Sequence, residues 1–120
     1  MKSYTDLEES KKLAKILPLE SADMTYRPIM DIDSMSNSGF LNIPDCYPFN
    51  EFKNSTIKPL PCWSLAALLS VLPKGTRLLK STTDDTYHCD CPKENIDKWF
   101  DNSVDACVAM IEKLHELKML

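Results

Sequence analysis

Pro61-Cys62-Trp63-Ser64-Leu65-Ala66-Ala67-Leu68-Leu69-Ser70-Val71-Leu72-Pro73 is the stretch on which the reading of the fold turns. Leu65, Leu68, Leu69 and Leu72 recur at i, i+3, i+4 and i+7, the spacing of one helix face. Ala66, Ala67 and Val71 make the opposite side apolar as well. A helix apolar nearly all round is expected in a core, with Leu68 and Leu69 both buried. Ser64 is placed to be its N-cap, the hydroxyl accepting from an early backbone N–H. Trp63 then stands at N′ and Leu68 at N4, the positions of a hydrophobic staple. Pro73 ends the helix, because its ring disfavours helical geometry at Leu72. The run is too short to cross a membrane.

Downstream, Lys74-Gly75 is a turn. Thr76 to Thr82 reads as a strand, Thr83-Asp84-Asp85 as a turn, and Thr86 to Cys91 as a returning strand ended by Pro92. In the second strand Tyr87, Cys89 and Cys91 point one way, and His88 and Asp90 the other. Trp99-Phe100-Asp101 precedes a last helix, with Asn102 as N-cap and Asp105 at N3. Its apolar period is Val104, Cys107, Val108, Ile111, Leu114 and Leu117.

Upstream, Thr5-Asp6-Leu7-Glu8 fits a capping box, with Thr5 as N-cap and Glu8 at N3. The helix it opens can run to Leu17, where Pro18 stops it. Met24 and Tyr26 alternate with polar neighbours, as in a short strand, and Pro28 places the end of that strand at an edge. Residues 28–60 read as a long irregular loop or insertion. It is turn-rich, yet Phe40, Leu41, Ile43, Tyr47, Phe49, Phe52 and Ile57 are too apolar for a disordered linker. The expected fold is therefore α+β in a single domain, residues 1–120. About three helices pack on a small antiparallel sheet of about three strands, with the long loop outside them.

A chain of 120 residues with 43% hydrophobic and 27% charged content is long enough to bury a core without staples. The net charge of −4 is spread along the chain, and no basic run exists to track a phosphate backbone, so nucleic-acid binding is not expected. No segment reads as a signal peptide or a membrane span, so the expected location is the cytoplasm, off the membrane. Five cysteines, an odd count, are expected there as thiols.

The nearest approach to a chemical site is His88-Cys89-Asp90-Cys91. Cys89 and Cys91 on one strand face could share a metal, completed by Cys46 or Cys62. Zinc pairs usually have Cys-x₂₋₄-Cys spacing and come in twos, whereas here one Cys-x-Cys stands alone with His88 on the other face. Core thiols are the simpler reading, and no metal or other cofactor is expected. His115, beside Glu116 on the last helix, reads as exposed surface. With only Gly39 and Gly75 in the chain, a backbone phosphate cradle is not expected, and no nucleophile elbow or metalloprotease motif is present.

Three groups of residues resemble a known pattern. They are Lys15 to Met24, then Pro61 to Leu69 with Leu72-Pro73, then Asp101-Asn102 with Asp105-Ala106-Cys107 and Met110-Ile111. Together they resemble a group of small uncharacterised proteins of gut Bacteroidetes and their phages or prophages. Residues 28–60 lie outside the resemblance, and no catalytic residue is carried over. What it implies is an intracellular bacterial or phage protein encoded on mobile DNA.

The function expected from all this is a non-catalytic protein-interaction module, in that setting a modulator of a host protein. A small thiol- or metal-dependent enzyme and a self-associating structural module are the alternatives. If the partner is a macromolecule, the aromatics Phe40, Tyr47, Phe49 and Phe52 of the long loop are the expected anchors, because loops carry recognition and aromatics favour interfaces.

Overall fold

The computed structural model describes residues 2–31, 36–41, 43–46, 48–49, 59–92, 94–96 and 98–120. The elements run α1 (Leu7–Leu13), a 3₁₀ turn (Leu19–Ser21), β1 (Met24–Tyr26), β2 (Pro28–Asp31), β3 (Ser36–Phe40), β4 (Leu60–Cys62), α2 (Leu65–Val71), β5 (Arg77–Lys80), β6 (Tyr87–Cys91), β7 (Glu94–Asn95) and α3 (Ser103–Glu116). All strand pairs are antiparallel: β1 with β4, β2 with β3, and β5-β6-β7 in that order. The class is α+β, as the sequence predicts.

The centre of the core is α3 rather than α2. Val104, Ala106, Cys107, Met110, Ile111 and Leu114 are all fully buried. The cause is position: α3 packs on β6 and on α2, so its apolar stripe is covered from two directions. Asn102 caps it as expected, its Oδ1 accepting from the Asp105 N–H at 2.8 Å. Leu117, included in the apolar period, is 44% exposed, because it follows the last helical turn.

The α2 helix starts at the expected cap, with Ser64 Oγ accepting from the Ala67 N–H. It is not buried all round. Ala67, Leu68 and Leu72 are buried, while Ala66, Leu69 and Ser70 are exposed, Leu69 by 37%. Seven residues make only two turns, and α3 is the element they pack on, so the far side faces outward.

The first capping box is displaced by one residue. The N-cap of α1 is Asp6, which accepts from the Glu9 N–H at 2.8 Å, while the Glu9 carboxylate accepts from the Asp6 N–H at 3.1 Å. Thr5 is occupied elsewhere. Fully buried, it donates its N–H to the Trp63 carbonyl, accepts the Trp63 N–H on Oγ1, and accepts the Tyr26 hydroxyl on its own carbonyl. Tyr4 bridges Ser64 beside it, so the N-terminal segment runs along the chain that follows β4. The helix ends at Leu13, four residues short of the expectation, and continues as turns that still bury Leu17.

The strand at Met24–Tyr26 exists but belongs to another sheet. It pairs with Leu60–Cys62, in the register Met24↔Cys62, Thr25↔Pro61 and Tyr26↔Leu60. Pro61 is tolerated inside a strand because the Thr25 N–H and carbonyl point away from it, to Asp45. The third strand beside the β5–β6 hairpin is instead β7. Residues 28–60 are likewise not all irregular, since β2 and β3 form a hairpin with a bulge between Ile29 and Met30. Tyr26, Leu60 and Cys62 build a second, smaller core cluster beneath Tyr4, Leu7, Met24 and Phe40.

Candidate functional site

The three-stranded sheet has two different faces. The register Arg77↔Asp90, Leu78↔Cys89, Leu79↔His88 turns Leu78, Cys89 and Cys91 toward α3. Arg77, Leu79, His88 and Asp90 stand on the opposite face. No helix covers that face among the described residues, but His88 is only 8% exposed. What covers it is Trp99, whose ring centroid lies 5.2 Å from the imidazole at a tilt of 31°. The stack is held from behind, because Tyr87 and Phe100 exchange backbone hydrogen bonds of 2.7 and 2.8 Å. Phe100 thereby packs on the core, and its neighbour Trp99 is turned outward. His88 Nδ1 lies 3.1 Å from the Lys98 carbonyl. A carbonyl can only accept, so Nδ1 carries the proton and the ring is locked in that tautomer.

Trp99 remains 45% exposed and Leu79 beside the pair 40% exposed. At the end of the same face the Arg77 guanidinium bonds the Asp90 carboxylate at 2.6 Å. The result is an aromatic and aliphatic platform on rigid backbone with one ion pair at its edge. The sequence signal for it was the Trp99-Phe100 doublet, since adjacent rings in an extended chain cannot both enter the core.

The expected metal candidates do not converge. Cys89 and Cys91 are buried on the α3 side, and His88 is on the other. Among the described residues no group of three or more His, Cys, Asp or Glu is placed to hold a metal ion. All five cysteines are free, Cys46 exposed and the other four buried. The neighbouring Cys89 thiol on β6, together with burial, pushes the Cys107 thiol far up. Such a thiol is a poor nucleophile. Burial likewise raises Cys62, outweighing its contacts with Thr5, Tyr26 and Ser10.

A second polar constellation joins the starts of α1 and α3. Lys2 Nζ bonds Asp6 at 3.0 Å, Glu9 at 2.6 Å and Asp105 at 2.7 Å. Burial works against the ammonium, but the three carboxylates outweigh it and hold its pKa above the ordinary value. Burial and a hydrogen bond to Asp105 push Glu9 up to about 7. For Asp105 burial is overcome by hydrogen bonds with Glu9, Lys2 and Asn102, which hold it low. The pair therefore shares one proton near neutrality. Each member also serves a helix end, Glu9 in the α1 capping box and Asp105 at the α3 N-cap, so the cluster is a clasp within the fold.

Of the expected loop anchors, Phe40 is half-buried against the Tyr26 cluster and Phe49 half-buried against the main core. Tyr47 and Phe52 lie outside the described residues. Leu41 and Ile43 are the described apolar side chains of that segment that stand most exposed, at 43% and 76%.

No family model matches this chain, and neither the curated proteins nor the solved structures compared with it contain a match.

Proposed function

We propose that this protein is a non-catalytic interaction module that binds a protein partner through the outer face of the β5–β6 sheet, with Trp99 as the anchor. The observation that carries the reading is the exposure of Trp99 on a fixed support. Tryptophan is among the residues most enriched at binding hot spots, and a ring held by backbone pairing and stacking loses little conformational freedom on binding. Leu79 extends the apolar area, and the Arg77–Asp90 pair supplies a polar rim. The partner's complement is an apolar side chain over the indole, flanked by polar groups able to meet that rim. The four buried thiols and the split between His88 and the cysteines favour this reading over thiol or metal chemistry.

Tryptophan fluorescence tests it directly. The chain has two tryptophans, and Trp63 is fully buried with its indole N–H bonded to Ser21. A proteins-only fraction captured by the wild type is titrated back onto it. The expected result is a blue shift from Trp99, with capture lost in Trp99→Ala although that variant stays folded, its melting temperature lowered only by the loss of the His88 stack, by about a few °C. Capture that survives Trp99→Ala rejects this face as the contact.

A further inference from the structure

We infer that a cavity at the C-terminal end of α3 is a binding site for a small apolar carboxylate. The cavity holds about 250 Å³ and is lined by Pro73, Lys74, Cys91, Pro92, Leu114 and Met119. Its floor is apolar, because Leu114 is fully buried and Cys91 is 3% exposed. Its walls are fixed by backbone rather than by loose side chains. The turn at Gly75 has φ +87°, and a Cβ there would meet Pro92 Cγ at 2.8 Å, so the two loops are pressed together. On the other side Lys118 adopts φ 58°, and the Met119 N–H bonds the Leu114 carbonyl at 2.9 Å while the Lys118 N–H bonds the His115 carbonyl at 3.0 Å. These two bonds are a Schellman motif, which lays Met119 over Leu114.

The charge of the lining selects the ligand. Among the described residues Lys74 is its one ionisable side chain besides the thiol, and it is exposed with no carboxylate partner. Among the described residues no acidic side chain lines the cavity. An apolar floor with the Lys74 ammonium at the rim matches a short aliphatic or aromatic acid, with the tail inward and the carboxylate at Lys74. Cys91 faces the α3 side of the sheet, opposite to His88, so this site is separate from the Trp99 face.

The test uses the whole chain labelled with ¹³C at the methionine methyls, the Met119 signal being assigned by Met119→Leu. Hexanoate, hexanamide and hexylamine are titrated in turn. The expected result is a saturable shift of the Met119 methyl, tightest for hexanoate and weakest for hexylamine. Lys74→Gln should weaken hexanoate by about two- to fivefold, to the level of hexanamide, as expected for one solvent-exposed ion pair. Absence of a saturable Met119 shift with every probe overturns the inference. So does equal affinity for the three probes, or a Lys74→Gln variant that binds hexanoate unchanged.

Discussion

Leu68 and Leu69 are adjacent in sequence, identical in chemistry and opposite in environment. Leu68 is fully buried in the main core, whereas Leu69 is 37% exposed on the outer side of α2. Replacing each by alanine therefore separates packing from composition. Leu68→Ala removes a side chain enclosed on all sides and leaves a cavity, at a cost of about 2–5 kcal/mol. Leu69→Ala opens no enclosed cavity and loses only partial burial, while alanine is the better helix former, so its cost is about 1 kcal/mol or less. Urea unfolding of the two variants reads this directly, as midpoints compared at constant slope. On heating, each 1 kcal/mol moves the melting temperature of a domain this size by roughly 3–5 °C. Equal losses at the two positions, to within about 0.5 kcal/mol, would show that α2 is covered on both sides and that its assigned orientation is wrong.

Three further outcomes follow from local geometry. Lys118 sits in left-handed backbone at the C′ position that glycine prefers, so Lys118→Gly should raise stability by about 0.5–1 kcal/mol; a loss in urea unfolding contradicts the Schellman assignment. Glu9 has a folded pKa of about 7, above its ordinary value, so its contribution to stability is fully present below about pH 4.5 and is lost as the pH rises through 7. The melting temperature should fall from pH 5 to pH 8 in the wild type, and much less in Glu9→Gln, which keeps the capping oxygen; equal slopes in the two proteins refute the shared proton. Trp63→Phe should cost about 1–3 kcal/mol, because it removes the indole N–H from Ser21 inside a filled core, and a neutral result in thermal melts would place Trp63 outside it.

The periodic elements were legible because their signals are local. Ser64 and Asn102 announced their helices through cap chemistry, and Pro73 and Pro92 closed α2 and β6 as read. What failed depended on distant partners. The Thr5-x-x-Glu8 pattern is as good a capping box as Asp6-x-x-Glu9 by itself, and the tie was broken by Trp63 and Tyr26, which claim Thr5 from elsewhere in the chain. The β1–β4 pairing joins residues far apart in sequence, and it accommodates Pro61 because Asp45 takes up the hydrogen bonds of Thr25. For α2 the apolar composition was read correctly and its burial was not, since composition cannot say how many neighbours a helix has. At the candidate site the alternation of β6 put His88 opposite Cys89 and Cys91 as expected, and the Trp99-Phe100 doublet marks one ring for the outside, but only the packed fold sets Trp99 over His88. The Lys2 clasp was invisible for the same reason: its groups come from residues 2, 6, 9 and 105, which only the packed fold brings within reach.

The proposed recognition surface is the outer sheet face anchored by Trp99. Its most direct measurement is acrylamide quenching of tryptophan fluorescence in the free protein and in its captured complex, with Trp63 as the internal buried reference. The free protein should show one accessible and one protected tryptophan, and the complex two protected tryptophans. A complex in which Trp99 is quenched as readily as in the free protein would contradict it.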